Sequence, residues 1–211
     1  SPLIDDIKKN ISNSFKVKKI FFEPNIVYIF NKKLKITNNF NWNTKDLNLL
    51  EVYTLNYLDI LENFNNENNK YLKKIIHNWI KGNTDIRRSS WDPYPTSLRL
   101  VNLVKWQIRS KSNDNVIINS IYRQARWLNN NIEYHLLGNH LLANAKALIF
   151  CGIIFRNNEA KQWLEKGIKL FNKYIDKQTL HDGGHYERSP MYHSIVTKDI
   201  LDLLNVLNIK D

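Results

Sequence analysis

Residues 136–155, LLGNHLLANAKALIFCGIIF, constrain this chain more than any other stretch. They open as a polar turn, and from residue 141 to 155 only Asn144, Lys146 and Gly152 interrupt the apolar run. A helix that is apolar on nearly every side has no face to offer water and must be enclosed by other elements. The sequence therefore demands an inner helix with further helices around it. Asn139, between Gly138 and the apolar run, reads as the N-cap, its side-chain oxygen accepting a first-turn N–H. His140 stands beside it, so an amide and an imidazole mark the mouth of a helix locked by packing.

The rest of the chain supplies the enclosing elements. Apolar periodicity predicts helices over about 44–64, 69–81, 96–110, 114–132, 157–178 and 191–208. Residues 1–43 form a lead-in, with a helical pattern at 3–11, strand-like runs at 17–22 and 26–30, and a turn at Pro24 and Asn25. An apolar helix followed by an amphipathic one recurs every roughly 40 to 50 residues, the range of helical-hairpin repeats. The expected fold is mainly all-α: an incomplete α/α toroid of helical hairpins over 44–211, with a short strand-bearing lead-in. If successive helices run antiparallel, the loops before the third, fifth and seventh helices open on one end. Those loops carry Ser90 to Pro95, Gly138 to His140, and His181 to Pro190 leading into Met191, Tyr192 and His193.

Composition narrows the partners. With 211 residues, 43% of them hydrophobic, the chain is long enough for one sizeable core. A formal charge of +11 selects acidic partners: nucleic acid, anionic lipid or acidic polysaccharide. The cations fall in short pairs such as Lys8-Lys9, Lys32-Lys33 and Arg87-Arg88, without a stripe or recognised module, which argues against nucleic acid. No run approaches the roughly 20 apolar residues that span a bilayer, so membrane insertion is not expected. Cys151 lies in the apolar helix as a small buried side chain, and a single cysteine excludes an internal disulfide.

Several constellations in the loops invite chemistry. The segment from His181 to Tyr192 offers imidazoles, carboxylates and a phenol around a Gly-Gly turn. His181, Asp182, His185 and Glu187 admit a metal reading, but their spacing matches no recognised zinc pattern, and no cofactor is expected. Ser189, His185 and Asp182 admit a nucleophilic reading, without the strand-to-helix elbow such a serine needs. The loop from Trp91 to Pro95 is either a stacking platform for a sugar ring or an aromatic plug stiffened by two prolines. Tyr192 and His193 open the last helix just after Pro190, which suits a first helical turn.

Four stretches carry a resemblance: LEVYTLNYLDIL at 50–61, WDPYPTSLRLVNLVKW at 91–106, GNHLLANAKAL at 138–148 and DGGHYERSPMYH at 182–193. In this order, across most of residues 45–195, the chain resembles the N-terminal helical domain of the heparinase II/III family of polysaccharide lyases. The resemblance implies an incomplete toroid that cleaves uronic-acid-containing acidic polysaccharide by β-elimination in the periplasm or outside the cell. It also implies a β-sandwich domain following in the full-length protein, where any structural metal and a further histidine belong. Carried over residue by residue, the family's Asn-His pair falls on Asn139 and His140 and its catalytic tyrosine on Tyr192. Trp91, Tyr94, Arg99, His185, Glu187, Arg188 and His193 are the expected substrate contacts. Some relatives carry a glutamate three residues after the paired histidine, where this chain has Ala143. Two other readings stay open: a toroid glycoside hydrolase using Asp182 and Glu187, and a non-catalytic module that binds acidic glycan.

Overall fold

The computed structural model describes residues 23–136 and 138–207. The expected helical pattern at 3–11 and strand-like run at 17–22 lie outside them. The described residues contain one two-stranded sheet and seven α-helices: α1 (Leu49–Asn56), α2 (Asn69–Gly82), α3 (Pro93–Ser110), α4 (Asn115–Asn130), α5 (Asn139–Ile154), α6 (Asn158–Gln178) and α7 (Pro190–Leu207). The fold is mainly α with a strand-bearing lead-in, as the sequence led us to expect.

In the lead-in, β1 (Ile26–Ile29) pairs antiparallel with β2 (Lys32–Lys35), Ile26 opposite Lys35 and Ile29 opposite Lys32. The partner of β1 is thus a lysine-rich segment that apolar patterning passes over. Phe30 makes the tight reversal in the left-handed region, at φ 48°. Lysines suit β2 because it is an edge strand, where charge blocks pairing with another chain. Lys32 also reaches Glu51 at 2.7 Å, tying the hairpin to the capping box that Asn48 and Glu51 build at the head of α1.

The first expected helix, 44–64, is in fact broken. α1 ends at Asn56, Leu58 turns left-handed at φ 56°, and a 3-10 turn, Asp59–Asn63, follows. Tertiary bonds overrule the periodicity here. The buried amide of Asn56 donates to the carbonyls of Trp42 and Val52 and accepts from Trp79 Nε1, while Asn102 captures the Tyr57 carbonyl. α3 starts three residues earlier than expected, because Pro93 at its first position is already set to a helical φ.

α5 is the enclosed helix. Every residue from Leu141 to Ile154 is buried. On one side α6 packs antiparallel to it, and two glycines set the spacing. A Cβ on Gly152 would lie 2.7 Å from the Leu164 backbone nitrogen, and one on Gly167 would lie 2.8 Å from the Ala145 carbonyl. On the other side, α5 meets α3 and α7 through ions. Asp202 of α7 accepts from Lys105 of α3 and Lys146 of α5, both at 2.6 Å, and Lys146 also reaches Asp199 at 2.7 Å. Tyr94, at the head of α3, stacks on His140, at the head of α5. These contacts fix α3, α5 and α7 as parallel neighbours, so their first turns open on one end. Burial alone would raise the Asp202 carboxyl, but the two ammonium groups outweigh it and hold the carboxyl below the usual range.

Two stability outcomes are expected. Gly152→Ala forces α5 and α6 apart; overpacking of about 1–3 kcal/mol outweighs the up to about 1 kcal/mol that alanine gains over glycine in a helix. Urea unfolding should show a lower midpoint. Asp202→Asn removes the carboxylate that two buried ammonium groups share, at a cost on the order of 3 kcal/mol. The stabilisation from Asp202 is complete above about pH 4 and is lost as pH falls through its lowered folded-state pKa. The variant's stability should therefore fall less steeply on acidification than the wild type's, and equal acid slopes would contradict this role.

Candidate active site at the helix heads

The head of α5 is built differently from the sequence reading. Gly138, not Asn139, occupies the N-cap position, at φ 88°, and no side chain caps the helix. That positive φ is what requires glycine; nothing lies within 4 Å of a Cβ built there. Asn139 becomes the first helical residue, half-buried, and its amide makes no hydrogen bond among the described residues. The correction leaves this amide available at the positive end of the helix dipole.

His140 is held on two sides. Its ring lies over Tyr94 with centroids 4.1 Å apart and planes 19° apart, and its Nδ1 lies 3.3 Å from Glu133 Oε2. Glu133 is itself buried and belongs to a polar chain. Its backbone N–H donates to Asn144 Oδ1 at 3.0 Å, Asn144 donates to Ser97 Oγ at 3.0 Å, and Ser97 donates to the Pro93 carbonyl at 2.8 Å. The chain ties the loop after α4 to the first turns of α5 and α3. Nε2 of His140 has no partner among the described residues, so the imidazole keeps one nitrogen for a ligand.

Tyr94 connects this imidazole to the third helix head. Burial pushes its phenol up to about 12, with further push from Asp199 and the neighbouring Tyr192 phenol. Tyr94 also meets Tyr57 edge to face, with centroids 6.1 Å apart. Below these rings lies a cavity of about 290 Å³, lined by Tyr57, Asp59, Ala143, Lys146, Ile195 and Asp199 among others. Tyr192, half-buried in the first turn of α7, stacks at 5.7 Å on His185. His185 is buried and anchored. Its Nε2 lies 3.4 Å from Gln178 Oε1, its Nδ1 accepts the Glu187 N–H at 3.3 Å, and its backbone bridges to Thr179.

Besides His185, two further expected substrate contacts are interior groups. Arg99 is fully buried: its guanidinium donates to Gln124, to the carbonyls of Asn56 and Ser90 and to Thr96, and lies 4.0 Å over the Trp79 ring. Burial disfavours its charge, and these oxygens with the indole face replace water. Trp91 is the aromatic plug and not the platform, its Nε1 donating to the Asn83 carbonyl and its ring packed on Trp79 and Trp127. Both residues brace the loop that delivers Tyr94. Glu187, Arg188 and His193 are exposed, and Glu187 bonds the Tyr186 phenol.

The nucleophilic reading finds no support in this geometry, since both His185 nitrogens face groups other than Ser189 and Asp182, and Asp182 accepts from Gly184 N–H. Among the described residues no group of three or more His, Cys, Asp or Glu is placed to hold a metal ion. Glu133 is the residue that sequence reasoning missed. The available signal was Asn144, an amide inside an apolar helix, because a buried polar group requires a partner.

The structure thus defines a helical-hairpin domain with an imidazole, two phenols and a free amide at the heads of three parallel helices. A profile described as Heparinase II/III N-terminus matches residues 4–211, and the chain belongs to that family. Two curated relatives are each called heparin-sulfate lyase. The protein from Bacteroides stercoris is 35% identical over 77 residues, 36% of this chain and 12% of that protein. The one from Pedobacter heparinus is 36% identical over 77 residues, 36% of this chain and 11% of that protein. The matched segment therefore spans only about a tenth of those relatives' length. No solved structure matches the chain.

Stacking on Tyr94 places the His140 ring protons in a ring current. In Tyr94→Leu their NMR resonances should move downfield toward free-histidine positions, whereas unchanged shifts would mean that the two rings do not stack in solution.

Proposed function

We propose that this chain is the helical part of a polysaccharide lyase that cleaves a uronic-acid-containing acidic polysaccharide by β-elimination across the helix heads. The observation that carries the reading is the convergence of His140, Tyr94 and Tyr192 on one rim, beside an Asn139 amide with no other bond. Removing the proton at C5 of a uronate builds negative charge next to an existing carboxylate, so fixed donors must first neutralise that carboxylate. Asn139 supplies a neutral donor at the positive end of α5, and the partnerless Nε2 of His140 supplies a second or accepts a proton. Tyr192 supplies the phenol that delivers a proton to the leaving glycosidic oxygen or takes the C5 proton, according to sugar stereochemistry. Tyr94 positions His140, and His185 positions Tyr192.

The +11 charge and the names of the two relatives favour a sulfated or carboxylated glycan of the heparan type as substrate. No described helix is long and apolar enough to cross a membrane, and the proposed setting is the periplasm or the exterior of a bacterium, where such polymers are met. The acid-pair hydrolase receives no comparable support: Asp182 caps a turn and Glu187 bonds a phenol on the surface.

The assay is the absorbance of the unsaturated uronate formed on cleavage of heparan sulfate. Tyr192→Phe and Asn139→Ala should each lower turnover by about 100-fold or more, the scale of a lost proton-transfer or charge-stabilising group. Reducing ends released without new absorbance would show hydrolysis instead.

A further inference from the structure

α2 carries Lys70, Lys73, Lys74, His77 and Lys81, whose spacing sets them along one side of the helix over about 16 Å. They line a cleft of about 750 Å³ whose other wall is the segment after β2, including Ile36 and Asn38. Asn78 fastens the two walls, donating to the carbonyls of Thr37 and Asn38 and accepting from Trp42 Nε1. The charges are unequal in their freedom. Lys73 and His77 both meet Asp114, at 2.8 and 2.9 Å. Lys70, Lys74 and Lys81 are exposed and have no carboxylate partner among the described residues; Lys70 only overlies the ring of Tyr71. By comparison, Lys32, Lys33 and Lys198 are paired with Glu51, Glu23 and Glu62.

A concave wall bearing three unpaired ammonium groups is complementary to a linear polyanion. Among the described residues that line it none is Arg, Phe, Tyr or Trp, the planar forks and stacking faces that nucleic-acid grooves use. The side chains of Asn25 and Asn38 instead offer amides to hydroxyl groups. Lys81 lies two residues before Asn83, whose side chain accepts from Asn43 and whose carbonyl holds Trp91. The stripe therefore leads up to the loop that delivers Tyr94. We infer that this cleft is a second binding site, separate from the helix heads, that holds a neighbouring stretch of the same acidic polysaccharide chain. The identity of the ligand rests on the function proposed above; the site itself rests on the cleft and its unpaired charges.

The test compares heparan sulfate binding to the wild type and to Lys70→Ala/Lys74→Ala/Lys81→Ala across a salt series, with cleavage of a tetrasaccharide and of the polymer measured alongside. Loss of three ion contacts should weaken polymer binding about tenfold or more and make the salt dependence of log Kd shallower by about two to three. Tetrasaccharide turnover should be unchanged, because a fragment held at the helix heads has no need of the cleft. Unchanged polymer affinity and salt slope would overturn the inference, and so would an equal loss on the tetrasaccharide. Duplex DNA bound more tightly than the glycan through the same lysines would reassign the cleft to nucleic acid. If the alanine variant melts below the wild type, the three glutamine substitutions repeat the comparison. A wild type that binds heparan sulfate but never cleaves it would defeat the proposed lyase activity and leave the binding comparison standing.

Discussion

The structure depends on the enclosure of α5. Fourteen consecutive residues, Leu141 to Ile154, are buried, a condition that a single amphipathic partner cannot satisfy. Two kinds of contact meet it. Against α6 the helix uses close backbone approach, with Gly152 and Gly167 removing the side chains that would separate the axes. Against α3 and α7 it uses Lys146, whose ammonium group shares Asp202 with Lys105. The first contact sets distance without direction along the shared face. The second fixes which turn of α7 lies beside which turn of α5, and so fixes where Tyr192 stands relative to His140.

Buried polar groups do the same for the rim. Arg99 links the end of α1, the loop before α3 and the middle of α4 through bonds to Asn56, Ser90 and Gln124. A guanidinium in that position is stable only while all its acceptors are present, so the pieces it joins are ordered together or not at all. Glu133, Asn144 and Ser97 form the corresponding link between the loop after α4, α5 and α3. Neither set needs to touch a ligand. Each removes freedom from the segments that lead into Tyr94 and His140, which is how side chains at helix starts acquire a defined geometry.

These two interior networks also mark where sequence reasoning stopped. The positions of six of the seven helices followed from apolar period, and the shared opening of α3, α5 and α7 followed from antiparallel alternation. The breaks did not. Leu58 is an ordinary strong helix former in a helical pattern, and it turns left-handed because Asn56 and Asn102 bind backbone and indole groups distant in sequence. Arg99 read as a substrate contact because nothing local distinguishes an arginine facing a ligand from one facing four interior oxygens. Asn139 looked like a cap by residue type, yet Gly138 could adopt a positive φ and took the position. In each case the deciding partner lay far along the chain, or depended on a backbone angle that side-chain identity only constrains. By contrast the places of His140 and Tyr192 at helix starts were legible from the periodicity, whereas Tyr94, expected in the loop before α3, stands in its first turn.

The distribution of charge then separates two regions that composition merges into a single +11. Beneath Tyr94 the cations are neutralised: Lys105 and Lys146 by Asp202, Lys146 again by Asp199, and Lys198 by Glu62. A polyanion entering that cavity would meet these carboxylates and ammonium groups already bound to one another, and displacing them would leave buried charges unpaired. Along α2 the reverse holds, since Asp114 satisfies only Lys73 and His77 and leaves three exposed ammonium groups uncompensated. Uncompensated positive charge is therefore presented along the outer face of α2, while the interior charges serve to set helix register. The same residue type thus has opposite roles, and the difference lies in whether a carboxylate stands within about 3 Å of the ammonium group.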